Sequence, residues 1–173
     1  MSEQMMAGDM KKISVDKVVI NIGVGKSGEP MEKAKKALLE LTGQKPAVRG
    51  AKKTVRDFGI HKGEPIGALV TLRREQAIEF LKRVIVAKKV LKESSFDNFG
   101  NLSLGIHEHI DIPGTKYNPD IGIFGMDVNV VLARPGYRTA RRSRKRTRIG
   151  KEHRINKEEA INFFREQFGV DVQ

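Results

Sequence analysis

"VVINIGVGKSGEP", Val18 to Pro30, is the stretch on which the reading of the fold turns. Val18, Ile20 and Ile22 alternate with Val19 and Asn21, the period of a strand with one side buried. Gly23, Gly25 and Gly28 break the run, and Pro30 suits the first turn of a helix. A strand, a glycine turn and a helix opening on Gly25-Lys26-Ser27 also outline a nucleotide-binding P-loop. That motif places its first glycine at the position held here by Ile20. The loop is therefore short of the successive N–H groups that wrap a β-phosphate, and Gly28 and Pro30 keep Ser27 from opening a helix around magnesium. No later apolar strand ends in a convincing magnesium-binding aspartate. Two readings survive: a turn whose N–H groups and Lys26 meet a phosphodiester backbone, or a plain strand-to-helix connection.

The bulk composition favours a polyanionic partner. The chain has 173 residues, 39% of them hydrophobic, which is enough for one domain spanning 1–173 with a buried core. Its net charge is +12, and such an excess opposes compaction unless a polyanion offsets it. Cysteine is absent, which removes disulfides, thiolate metal sites and cysteine nucleophiles and fits a reducing compartment. "MSEQMMAGDMKK" at the N-terminus lacks the apolar core of a signal peptide, and no apolar run approaches membrane-spanning length, so a cytoplasmic protein is expected.

Further along, Met31, Ala34, Leu38 and Leu41 recur at helical spacing from Pro30 to Thr42, with Gly43 as the stop. "TVRDFGIHKGEPIGALVTLR" (54–73) reads as two strands around a turn, and the segment to residue 92 as the longest helix, with Ile78, Leu81 and Ile85 as its apolar stripe. Strands are expected over 101–107 and 125–134. Asn156 and Glu159 form a capping box for a last helix, about 157–168, with Ala160, Ile161, Phe164 and Phe168 on its apolar side. The expected fold class is α+β: a mainly antiparallel sheet with helices on one face and the other face open. Alternation puts Asn21, Thr71, Arg73, Asn101, Ser103, His107, Asp127 and Asn129 on that open face. An ordinary solvated face would look similar, but this set is rich in donors and acceptors suited to sugars, phosphates and base edges, and poor in Lys and Glu.

The strongest local signal is "RPGYRTARRSRKRTRIGKEHR" (134–154). Charge runs are often solvated faces, yet here arginine dominates, and guanidinium pairs bidentately with phosphate and stacks on bases. A basic arm at about 138–154 that contacts RNA or DNA is the reading adopted. "QKPAVRGAKKTVR" (44–56) forms a second basic cluster. Aromatics are only 6% and tryptophan is absent, so a folded RNA displaying its backbone suits the chain better than a stacked single strand. "HEH" (107–109) could suggest a metal, but only His61 and His153 remain elsewhere, and a structural or RNA-facing histidine is the stronger reading. No catalytic constellation and no cofactor signature emerges. A nucleotide-dependent or RNA-processing enzyme using the GVGKS turn, and a DNA-compacting protein, stay as alternatives.

"LLELTGQKPAVRGAKKT" (38–54), with "NIGVG" (21–25), "FGIHKGEPIGALVTLR" (58–73), "NFGNLSLGIHEHID" (98–111), "KYNPDIGIFGMDVNVVLARPGY" (116–137) and "HRINKEEA" (153–160), resembles the 5S rRNA-binding family, ribosomal protein five of the large subunit. The match runs in order through nearly the whole chain. The "RPG" segment and basic tail resemble the archaeal and eukaryotic branch, and the compact length the archaeal one. Arg49 departs from it, standing where many relatives carry a small hydroxyl residue. The resemblance implies a non-enzymatic ribosomal constituent, without cofactor or metal, that docks 5S rRNA on its open face in the central protuberance. It implies 5S contacts from Asn21, Gln44, Lys45, Thr71, Arg73, Asn101 and Ser103, to which Lys26, Lys52 and Lys53 would add phosphate contacts. Arg138, Arg141, Arg142, Arg144, Lys145, Arg146 and Arg148 would hold large-subunit rRNA. Loop 54–64, with Arg56, Phe58, Gly59, His61 and Lys62, resembles the loop that reaches P-site tRNA. The segment around 110–125 resembles the region that touches a small-subunit head protein in an intersubunit bridge. Neighbouring central-protuberance proteins would be further partners.

Overall fold

The computed structural model describes residues 10–88 and 90–173. The reading of residues 1–9 as part of a leaderless N-terminus, and Lys89 of the long helical pattern, lie outside them. The elements run β1 (Ser14–Gly23), α1 (Glu29–Thr42), β2 (Ala47–Gly50), β3 (Pro65–Leu72), α2 (Arg74–Lys88) and β4 (Val90–Leu91). There follow β5 (Leu102–Ile106), β6 (Met126–Ala133), α3 (Lys157–Phe168) and β7 (Asp171–Val172). Five strands form an antiparallel sheet in the order β2-β3-β1-β6-β5. The α+β class expected from the sequence is the one observed.

Alternation settles which side of the sheet carries the helices. Val18, Ile20 and Ile22 of β1, Ala68, Val70 and Leu72 of β3, Leu102 and Leu104 of β5, and Val128 and Val130 of β6 are all buried. They merge into one core with Met31, Ala34, Leu38 and Leu41 of α1 and Phe80, Leu81 and Val84 of α2. Helix α1 packs on β3 and α2 on β1. Helix α3 enters the same core through Phe164, whose ring meets Phe96 edge-on at 5.6 Å.

Three expectations need correction. The strand paired with β3 is β2, not the segment from Thr54. Residues 54–60 offer no apolar alternation to bury: Arg56–Phe58 makes a 3-10 turn, ended by Gly59 at φ 65°, and Phe58 points into solvent. Ile78 is exposed, because the stripe of α2 is Ala77, Phe80, Leu81, Val84 and Ile85. Last, α2 stops at Lys88, because Val90 and Leu91 leave the helical pattern for a small parallel ladder with Asp171 and Val172. Gln173 donates to the Leu91 carbonyl there at 3.0 Å, so long-range pairing overrides the local period.

The basic segment between β6 and α3 is closed at its neck. Arg134, only 7% exposed, donates to Glu159 Oε1 at 2.7 Å and to the Arg154 carbonyl at 3.4 Å. The Tyr137 hydroxyl donates to the His153 carbonyl and accepts the Ile155 N–H at 3.0 Å. Glu159 also accepts the Asn156 N–H at 3.0 Å, completing the expected capping box of α3. One carboxylate thus caps the last helix and holds the base of the arm.

This packing can be tested at two positions. Gly100 lies at φ 75°, and a Cβ there would stand 2.6 Å from Ile155 Cγ2. Gly100→Ala should cost about 1–3 kcal/mol by forcing this contact apart, read as a lower urea midpoint at unchanged slope. Burial pushes the Glu159 carboxyl up, but the Asn156 N–H and the Arg134 guanidinium outweigh it, and the group sits below the ordinary 4.5. A carboxylate depressed in the folded state stabilises above its unfolded pKa, and the gain disappears as pH falls through the folded value. The stability gap between the native chain and Glu159→Gln should therefore be full at neutral pH and close progressively below about pH 4.5, as measured by denaturation across pH.

Candidate nucleic-acid interface

The face opposite the helices is polar and ordered by strand register. Thr71 of β3 pairs with Val19 of β1, Val19 with Asn129 of β6, and Asn129 with Ser103 of β5, so one row crosses four strands. The next row runs Ala47, Leu69, Asn21, Asp127 and Gly105 across all five. Asn21, Thr71 and Asn129 are half-buried by their neighbours, and Ser103 and Asp127 are exposed. Of the residues expected to bind 5S rRNA, Asn21, Thr71 and Ser103 are brought together here.

Arg73 and Asn101 lie at the margin of this face and are engaged locally. Arg73 approaches Asp16 at 3.7 Å. Asn101 is tied to Asp97: its N–H reaches Oδ1 and its Nδ2 reaches Oδ2, each at 2.7 Å. Gln44 is half-buried and donates Nε2 to Gln76, which fastens the α1–β2 loop to α2. Lys26, Lys45, Lys52 and Lys53 are exposed at the β2 side and at the Gly23 end of the sheet.

The glycine turn is spent on the fold. The N–H groups of Val24 and Gly25 both donate to the Ile66 carbonyl, at 2.9 and 3.0 Å. Ser27 donates to Glu64 Oε1 at 2.5 Å, and the His61 N–H reaches Oε2 at 2.9 Å. Those two bonds, the His61 N–H foremost, hold the Glu64 carboxyl below the usual range. Helix α1 then opens with Glu29 and Glu32, which would repel a phosphate at its N-terminus. Two of the turn's N–H groups thus serve the connection to β3, and Lys26 is exposed at its tip.

Loop 51–64 is built on the same base. The Ala51 N–H donates to the Glu64 carbonyl and the Gly63 N–H to the Ala51 carbonyl, while Val55 and Ile60 bridge higher up. Gly50 is required here, since a Cβ would meet the Gly63 carbonyl at 2.9 Å. At the tip, Arg56, Phe58, Gly59, His61 and Lys62 are exposed, and Phe58 shows 75% of its surface.

At the other end of the sheet lies the arm. Arg138, Arg141, Arg142, Arg144, Lys145, Arg146 and Arg148 are all exposed. Arg141 reaches back to Asp16 at 2.7 Å. Asp16 is the extra residue of a β-bulge between Val15 and Lys17, which re-aims it from the pattern of the strand. The cleft behind it, about 440 Å³, is lined by Arg74, Arg134, Arg138 and Arg141, and the buried Arg134 Nε has no partner among the described residues. Sequence reasoning missed Asp16, Arg74 and Arg134. For Asp16 the signal was present, as a carboxylate interrupting an apolar strand.

The two histidines of "HEH" part company. His107 is exposed beyond β5, whereas His109 is buried and its Nδ1 accepts the Phe124 N–H at 3.2 Å. Among the described residues no group of three ligating side chains gathers, and no helix is long and apolar enough to cross a membrane.

The geometry is that of a binding surface: a polar sheet face with basic groups at both ends. The family model described as "Ribosomal protein L5" matches residues 9–61, and the model describing the C-terminus of the same ribosomal family matches 65–163. A large ribosomal subunit protein uL5 from Sulfolobus acidocaldarius is 54% identical over 99% of this chain and 97% of its own length. Those from Cenarchaeum symbiosum and Nitrosopumilus maritimus are 54% and 51% identical, covering 96% and 98% of this chain and 99% and 98% of theirs. The chain belongs to the ribosomal protein L5 family, whose members are structural ribosomal proteins and not enzymes.

Proposed function

We propose that the chain, acting over 1–173 as one unit, is a structural constituent of the large ribosomal subunit in the cytoplasm. In this reading it binds 5S rRNA on its open face and helps attach it in the central protuberance, beside neighbouring large-subunit proteins. The observation that carries the reading is the helix-free row Thr71, Asn129 and Ser103, with Asn21 beside it, set between two basic ends. Asn21, Thr71 and Ser103 offer hydrogen bonds that fix register against an RNA of one shape. Gln44, Arg73 and Asn101 add contacts at the margin once their local partners exchange. Lys26, Lys45, Lys52, Lys53 and Arg73 neutralise phosphates along the edges, and the arm from Arg138 to Arg148 holds large-subunit rRNA. The exposed tip Arg56–Lys62 fits a contact with P-site tRNA. The segment around 110–125, with Tyr117 and Ile123 exposed, fits a contact with a small-subunit head protein.

Three measurements test this reading. If about six phosphates are neutralised, log affinity for 5S rRNA should fall against log salt with a slope of roughly −4 to −5, and a slope near zero would exclude a phosphate clamp. At physiological salt, 5S rRNA should outcompete duplex DNA of equal length; equal binding would favour a DNA-compacting role. Thr71→Ala should weaken 5S binding by about 0.5–1.5 kcal/mol with the fold intact. It is a cleaner probe than Asn101→Ala, which would also release the Asp97 turn.

A further inference from the structure

Two glycines of the open face have no reason in the fold. Gly23 in β1 and Gly105 in β5 lack the positive φ that demands glycine, and a Cβ added at either would meet nothing within 4 Å. Gly67 and Gly125 nearby differ, for their Cβ atoms would press on the Ile22 and His107 carbonyls at 3.2 and 3.1 Å. Glycine weakens a strand, and the close approach of a ligand is one reason to keep it at Gly105 and at the end of β1, Gly23, where packing does not require it. Gly23, Gly105 and Gly125 floor one hollow of about 440 Å³, with His107 and Asp127 at its rim.

Asp127 is the second anomaly. It stands between Asn21 and Gly105 in register, is exposed, and has neither ion-pair nor hydrogen-bond partner among the described residues. Asp16, by contrast, is matched by Arg141 and Arg73. An unpaired carboxylate on a face meant for a polyanion repels phosphate, so this hollow is not a phosphate site. A carboxylate is an acceptor with two oxygens, and it calls for two adjacent donors. Among the bases, only guanine offers two neighbouring donors on its Watson–Crick edge, N1–H and N2–H. Adenine and cytosine each present one amine there, and uracil one N–H. That edge is free in an unpaired nucleotide, and a flat base needs the floor that missing side chains leave.

We propose that this hollow binds an unpaired guanine of the RNA, its base lying over Gly23 and Gly105 and its N1–H and N2–H donating to Asp127. Asn21, paired with Asp127 across the strands, is placed to donate to the guanine O6. The site rests on the reading that the open face binds 5S rRNA.

The test uses the full chain and transcribed 5S rRNA. Gly105→Val should leave the unfolding midpoint unchanged or higher, since the space is empty and valine suits a strand. Gly105→Val and Asp127→Asn should each weaken 5S binding about tenfold or more. RNA pools with inosine scattered in place of guanosine lack the N2 amine at the substituted positions. Selection on the native protein should then exclude inosine at one unpaired position, and selection on Asp127→Asn should not. A native chain that binds 5S rRNA, with both variants equal to it or with no inosine-sensitive position, overturns the guanine site alone. A native chain that does not bind 5S rRNA overturns the wider reading and this site with it.

Discussion

The antiparallel pairing of β1 with β3 on one side and β6 on the other is the constraint from which the rest descends. It fixes Val18 opposite Leu72 and Val130, and Ile20 opposite Val70 and Val128. Because side chains alternate, a slip of one residue would drive Asn21 into the core and lift Ile20 into water. Burying the three apolar side chains of β1 therefore also dictates that Thr71, Asn129 and Ser103 align outside. The polar row is a by-product of the core, held as rigidly as the core itself. Helices α1 and α2 occupy the inner side, so neither covers the outer one.

Electrostatics is arranged around that sheet so that few carboxylates do several jobs. Glu159 caps α3 and anchors Arg134, Glu64 joins the glycine turn to the base of loop 51–64, and Asp16 meets both Arg73 and Arg141. Glu159 and Asp16 also balance guanidinium groups in a chain of net charge +12. The arm tip from Arg142 to Arg148 has no such carboxylate among the described residues, and it is there that the excess charge is concentrated. The exposed pairs are each worth little in water, and their role is to hold segments in place.

What could be read from the sequence was whatever a short period encodes. The strands around Ile20, Val70, Leu104 and Val128, and the capped helix from Asn156, follow from periods of two and 3.6 and from a capping box, and the structure places them within a residue or two. Several of the failures come from contacts between distant residues. Thr54–Ile60 has strand-like composition but nothing to bury against, while Ala47–Gly50, weak locally, finds β3. Val90 and Leu91 fit a helix until the C-terminus pairs with them. Asp16 was passed over because a bulge cannot be placed without its partner strand. Asn101 looked free because its bond to Asp97 depends on a turn, not on alternation.

The Gly25-Lys26-Ser27 turn shows why a motif has to be settled by counting backbone donors. A phosphate cradle needs N–H groups that nothing else satisfies, and in the folded chain Val24 and Gly25 have already given theirs to Ile66. That commitment ties the turn to β3, and the Ser27 hydroxyl ties it to Glu64 at the base of loop 51–64, while the Lys26 side chain stays exposed. On the proposed reading, affinity and register then fall to different parts of the molecule. Flexible cations at the two ends act through long-range attraction that salt weakens. The sheet face acts through short hydrogen bonds whose geometry the core has fixed in advance. On that reading the row of Thr71, Asn129 and Ser103 has little ordering left to do when an RNA arrives, and rearrangement is confined to the margin at Gln44, Arg73 and Asn101.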